Sequence, residues 1–226
     1  MLPSKTVENY LKAIYLAQGN LDGDALVPMG QLASALSVVP GTATTMVKAL
    51  AEAGLVRYEP YVGVRLTAAG ERLAALVLRR HRLVELFLVK VMGMSWAEVH
   101  DEAEQLEHAV SDRLIERMDE MLGFPEADPH GDPIPTADGG VREHDYDTLL
   151  TCPTGQPVTV TRVIDQDADF LRFIEECHLK PGAGVTVVAR DAAADSVVLR
   201  SPSNRVVTLG SRAASKVQVA DATPGS

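Results

Sequence analysis

MGQLASALSVVPGTATTMVKALAEAGLVRYEPYVGVRLT, residues 29–67, is the stretch on which the fold turns. Met29–Leu36 reads as a short helix and Ser37-Val38-Val39 as a turn. A second helix is predicted from Pro40 to Ala53. Pro and Gly are tolerated in its first turn, where backbone N–H groups lack an intrahelical partner. Gly54 suits the left-handed residue that ends a helix. LVRYEP and GVRLT then flank Tyr61-Val62-Gly63 as a small hairpin. Helix, turn, helix, hairpin is the order of a winged helix-turn-helix, whose second helix lies in the DNA major groove.

Ala43, Val47 and Leu50 suit the inward face of that second helix. Thr42, Thr44, Thr45 and Lys48 are left for DNA, with Pro40 at the helix start, where free N–H groups can meet a phosphate. Threonine can bond a base edge or meet a thymine methyl, and Lys48 suits a phosphate. Arg57 and Arg65, in the hairpin, are placed to hold the DNA backbone. Few base-reading Arg, Asn or Gln side chains lie on this helix, which points to shape readout and methyl contacts.

Outward from this module, KTVENYLKAIYLAQ (5–18) sets Val7, Tyr10, Leu11, Ile14, Tyr15 and Ala17 at helical spacing. GNLDGD (19–24) reads as a loop. A long helix is predicted from Ala68 to about Val91, and shorter ones over roughly Trp96–Glu107 and Ser111–Leu122. FPEADPHGDPIPTADGG (124–140) is a breaker-rich loop. Beyond Leu149 four β-type runs, PVTVTRVI, GVTVVAR, SVVLRS and RVVTLG, with a short helix at Asp167–Cys177, predict a small barrel-like β domain.

The chain has 226 residues and 46% hydrophobic side chains, enough for a proper core. Its two cysteines form no CxxC pair, its start has no basic-plus-apolar signal, and no apolar run reaches the ~18 residues of a membrane span. A cytoplasmic protein without membrane contact is expected. The formal charge of −10 is unevenly spread. Residues 1–91 carry 10 basic and 7 acidic side chains, residues 92–150 carry 3 and 16, and residues 151–226 carry 8 and 8. A basic-leaning module beside an acidic one suits a DNA reader joined to a cation sensor.

The acidic segment contains WAEVHDEAEQLEHAVSD (96–112). His100, Glu104 and His108 recur at i, i+4, with Glu107 beside His108, which on a helix makes one broad face. His81 and Glu85 form another i, i+4 pair on the long helix. Imidazole and carboxylate without thiolate suit Mn(II) or Fe(II), while Zn(II), Co(II) or Ni(II) can substitute in vitro by raw affinity. A solvated acidic face with stray histidines is the plainer reading of any single pair. A metal-dependent hydrolase is a distant alternative, but HExxH is absent and no nucleophile or base is left over. No enzyme activity is expected.

VENYLKAIY (7–15), the helix-turn-helix, RRHRLVELFL (79–88), EVHDEAEQLEHAVSD (98–112) and DPHGDPIP (128–135) together resemble the diphtheria-toxin-repressor family of iron- and manganese-dependent regulators, the manganese-responsive branch more closely. The resemblance implies a winged-helix DNA domain over 1–72, a helical dimerisation and metal domain over 73–142, and an SH3-like domain over 150–222. It also implies a homodimer on a palindromic operator, repressing metal-uptake genes. Carried over by position, the primary metal site is Asn9, Glu104, Glu107 and His108, and the ancillary site His81, Glu85, His100 and Asp167. Glu104 stands where iron-responsive members carry Cys, which favours manganese. An iron-activated repressor is the runner-up. Asn9 replaces an Asp or Met, Lys12 stands where some two-metal members carry an acid, and Phe170 falls where a polar ligand is expected.

Overall fold

The computed structural model describes residues 4–19, 21–142 and 145–222. The first three residues of the N-terminal reading and Asn20 of the 19–24 loop lie outside that range. The chain divides into two compact units. The first comprises Met1–His81, Leu106–Ile115 and Ile134–Arg142, and the second Arg82–Gln105, Glu116–Pro133 and Glu143–Ser226.

In the first unit, helix α1 (Lys5–Gln18) starts at Ser4, whose hydroxyl accepts from the Val7 N–H. Helices α2 (Met29–Ala35) and α3 (Pro40–Glu52) follow, then strands β1 (Val56–Glu59) and β2 (Gly63–Leu66). The strands pair antiparallel with Val56 opposite Leu66 and Glu59 opposite Gly63. Tyr10, Leu11 and Ile14 of α1 share one core with Ala43, Val47 and Leu50 of α3 and with Val56, Val64 and Leu66 of the hairpin. The first and third helices are thus packed through a common apolar interior. The side chain of Gln18 adds a polar tie, accepting the Leu66 N–H at 2.7 Å. Val27 bonds both ways to Val64, and this approach requires Gly63: a Cβ there would lie 2.4 Å from the Val27 carbonyl oxygen.

Helix α4 (Ala68–Lys90) is followed by α5 (Val99–Leu106) and α6 (Asp112–Met121). α5 begins three residues later than its sequence predicts. The Trp96 carbonyl, which a helix starting there would use internally, instead accepts from the His130 ring at 2.8 Å. Glu107 and His108 lie past the last residue of α5, in a turn, and do not continue its helical face.

The rest of the second unit is a six-stranded antiparallel sheet of β3 (Asp147–Thr148), β4 (Pro157–Val163), β5 (Gly184–Asp191), β6 (Ser196–Arg200), β7 (Val206–Gly210) and β8 (Val217–Asp221), in the order β3-β8-β4-β5-β6-β7. Helix α7 (Ala168–Glu176) buries Leu171 and Ile174, and α8 (Ser211–Ala214) is a single turn. Val158, Val160, Val185, Val187, Val197 and Leu199 alternate inward as period-2 strands should. β3 and β8 are additions to the four runs read from sequence. β8 buries only Val217 and Val219, too short an alternation to stand out. Among the described residues no helix is long and apolar enough to cross a membrane.

Candidate metal centre

α1, α4 and the turn after α5 bring a set of ionisable side chains together inside the first unit. Glu107 is fully buried. Lys12 donates to both of its oxygens, at 2.8 and 2.9 Å, and His81 Nδ1 lies 2.6 Å from Oε2. Burial pushes the Glu107 carboxyl up, but the hydrogen bond from His81 and the charges of Lys12 and His81 outweigh it and hold the group below its ordinary value. Glu107 is therefore a carboxylate.

His108 Nδ1 is 2.6 Å from Glu8, and Arg80 reaches the other Glu8 oxygen at 3.2 Å. With Nδ1 held against the Glu8 carboxylate, the ring turns Nε2 toward Glu107. Nε2 is buried without a hydrogen-bond partner and lies 3.1 Å from Glu107 Oε1. Asn9 Oδ1 is likewise buried and unpartnered. Carboxylate-to-imidazole support of a ligand lone pair is the usual outer layer of a metal site. Buried polar atoms without partners are rare unless an ion or water serves them. Asn9, Glu107 and His108 thus fit a divalent cation. Glu8, which sequence reading passed over, supports His108. Its signal was slight: an acid in the first helical turn is ordinary.

The second unit holds another cluster. Ligand atoms of Glu85, Asp128 and His130, all buried, lie within 4.8 Å of one another. His130 Nε2 gives its proton to the Trp96 carbonyl. Its Nδ1 has no hydrogen-bond partner and lies 3.9 Å from both Glu85 Oε2 and Asp128 Oδ1. Asp128 Oδ1 accepts the N–H groups of His130 and Asp132, and Oδ2 has no hydrogen-bond partner but faces the Arg82 guanidinium at 3.8 Å. Burial pushes the Asp128 carboxyl up, and although His130 draws it down, the charges of Asp132 and Glu85 add to burial and leave it above the ordinary value. Burial also works against a charged His130, but the surrounding carboxylates prevail and hold its imidazole above the ordinary value. A cluster that so favours added positive charge suits a cation.

Sequence reading did not single out Asp128 and His130. Their signal was present in DPHGDPIP, but the motif follows no helical period. Of the remaining expected ligands, His100 lies 3.2 Å from Glu85 and 3.8 Å from Glu104. Asp167 caps α7, accepting the N–H groups of Asp169 and Phe170.

On α3, Pro40 occupies the first turn, and Thr42, Thr45 and Lys48 are exposed. Thr44 and Thr45 hydrogen-bond back to the carbonyls of Pro40 and Gly41. In the hairpin Arg57 is exposed, 3.5 Å from Glu59. Arg65 instead holds the carbonyls of Gly23 and Ala25 at 2.9 and 3.0 Å, fastening that loop to the hairpin. Tyr61, at φ +65°, is fully exposed at the hairpin tip.

A winged helix-turn-helix and buried clusters of carboxylate and imidazole on one chain mark a metal-dependent, DNA-binding transcriptional repressor, not an enzyme. Residues 2–64 match the N-terminal DNA-binding domain of the iron-dependent repressors, residues 67–136 their metal-binding and dimerisation domain, and residues 148–221 the FeoA domain. The iron-dependent repressor IdeR of Mycobacterium leprae (strain TN) is 31% identical over 95% of this chain and 96% of its own length. The diphtheria toxin repressor of Corynebacterium glutamicum is 35% identical over 81% of this chain and 83% of its own. A manganese-dependent transcriptional repressor solved with manganese superposes with a TM-score of 0.86 at 42% identity, covering 96% of this chain and all of that one. The chain belongs to the iron-dependent repressor family, that of the diphtheria toxin repressor.

Proposed function

We propose that this repressor is activated by Mn(II) and that its dimer then binds a palindromic operator of metal-uptake genes. The observation that carries the metal reading is the pair of buried, unpartnered acceptors, Asn9 Oδ1 and His108 Nε2, beside the ionised Glu107. The donors are carboxylate, imidazole and amide, a hard-to-borderline set suited to Mn(II), with Fe(II) next. When bound, the ion supplies positive charge shared by Asn9 on α1 and by Glu107 and His108 in the turn, fastening the two. Glu8 and Arg80 keep the His108 ring in the orientation that presents Nε2. Because α1 shares its core with α3, fastening α1 restricts where α3 can lie. Glu85, Asp128 and His130 form the second cation site. Thr42, Thr44, Thr45, Lys48 and Arg57 face DNA, with the N-terminus of α3 on a phosphate. The resemblance to manganese-dependent repressors supports the choice of ion.

The test is fluorescence anisotropy with the promoter fragment of the protein's own gene or of a neighbouring metal-transporter gene, at one fixed salt concentration. Tight binding is expected with Mn(II) and not without metal, and it is lost in Glu107→Ala and His108→Ala. Equal activation by anaerobic Fe(II) would overturn the choice of ion. Binding indifferent to metal would overturn the switch.

A further inference from the structure

His130 is fully buried, and every polar group on it except Nδ1 is committed. Its N–H donates to Asp128 Oδ1 at 2.8 Å, its carbonyl accepts the Val163 N–H at 2.8 Å, and its ring Nε2 meets the Trp96 carbonyl at 2.8 Å. A carbonyl oxygen only accepts, so Nε2 keeps its proton and Nδ1 is the ring atom able to meet an ion. Trp96 also covers the ring, stacking on it with centroids 5.5 Å apart and planes inclined by 26°. Its carbonyl is free for His130 because α5 starts only at Val99.

Trp96 is held in turn. It is buried in the core that the sheet of the second unit builds, and a buried indole N–H needs an acceptor. Glu175 of α7 supplies it at 3.0 Å. Lys180 reaches Glu175 at 2.5 Å and lies over the indole, 5.1 Å from its centroid. Both residues belong to the FeoA domain.

We propose that Trp96 is the positioning residue of the second cation site and couples that site to α7. Its carbonyl and ring hold His130 with Nδ1 toward Glu85 and Asp128, and Glu175 holds Trp96, while neither Trp96 nor Glu175 touches the ion. An imidazole free to turn must be ordered as the ion binds, and that cost is lost affinity. Linkage is reciprocal: α7 held against Trp96 raises affinity for the ion, and the bound ion holds α7 more firmly. This rests on the reading of Glu85, Asp128 and His130 as a cation site.

The experiment is Mn(II) titration of the full-length protein, with free Mn(II) read from its electron paramagnetic resonance signal. Variants that keep the single tryptophan are also followed by the quenching of its emission by the paramagnetic ion. Apo thermal melts establish that each variant is folded. His130→Ala identifies the ion of this site as the one it removes. Trp96→Leu is expected to bind that ion about tenfold more weakly, and Trp96→Phe, which keeps a stacking ring, to recover most of the affinity. Glu175→Ala changes an exposed residue and should raise the quenching midpoint about threefold or more. A Leu variant that binds as tightly as the unaltered protein would overturn the positioning role, and so would a Phe variant as weak as the Leu variant. An unmoved midpoint in Glu175→Ala would overturn the coupling to α7, and this comparison holds even if Trp96→Leu does not fold. If His130→Ala retains every ion, the site reading fails and the inference falls with it.

Discussion

Gly131 lies between the two aspartates of DPHGDPIP, at φ +89°. A Cβ built on it would sit 2.0 Å from the carbonyl oxygen of Thr161 and 2.7 Å from Cα of Arg162. Ordinary contact begins at 3.4 Å, so in Gly131→Ala the loop must move off β4 by 1.4 Å (3.4 − 2.0). The obstacle is backbone, which cannot swing aside. The Val163 N–H donates to the His130 carbonyl at 2.8 Å, and that bond would open beyond useful range. Left-handed strain on alanine costs about 1–2 kcal/mol, and overpacking adds about 1–3 kcal/mol. Gly155 provides the control: it has φ +80° and nothing within 4 Å of its would-be Cβ. Gly155→Ala should therefore cost only the strain, and Gly131→Ala about 2–5 kcal/mol. Urea unfolding read by the single tryptophan suits the measurement, since Trp96 stacks on His130 with centroids 5.5 Å apart. Equal midpoints for the two variants would refute the argument that the loop is pressed against β4.

Three further outcomes are expected. Lys48→Ala should weaken DNA binding evenly across sequences and reduce the slope of log K against log salt by about 0.9; an unchanged slope would remove Lys48 from the phosphate contacts. His130→Ala should lose one bound Mn(II) per chain and alter Trp96 emission, whereas an unchanged ion count would show that Glu85, Asp128 and His130 are not a cation site. Glu175 accepts from Lys180 and from the Trp96 indole, and the Lys180 hydrogen bond, against modest burial, holds its carboxyl below the ordinary 4.5. A lowered folded value means stability present above pH 4.5 and lost as pH falls through the folded value. The side chain is 47% exposed, so the effect is under about 1 kcal/mol. Glu175→Gln should lower the melting temperature slightly at pH 7, with the gap closing as pH falls through the folded value, and a gap independent of pH would contradict this.

Local physics made much of the molecule legible in its sequence. The helices of the DNA module are written in spacing: Tyr10, Leu11 and Ile14 on one, and Ala43, Val47 and Leu50 on the other, each repeat at helical period because one face must be buried. The hairpin follows from β-type runs around Tyr61 and Gly63. Strands β4 to β7 show as apolar alternation, while β8 stays hidden because two valines make no clear pattern.

The sequence by itself determined the kind of chemistry. It has imidazoles and carboxylates without paired thiolates, concentrated between residues 81 and 108, on a chain whose N-terminal part reads as a DNA-binding module. Only tertiary structure decided the partners. Glu8 and His108 are 100 residues apart, and Lys12 and Glu107 are 95 apart. Asp128 and His130 come from a loop with no periodicity to announce where it folds. An ionisable side chain in the sequence carries no mark of whether it will be hydrated, paired or left facing a lone pair. Burial and the identity of the neighbour decide that, and both exist only once distant segments have packed.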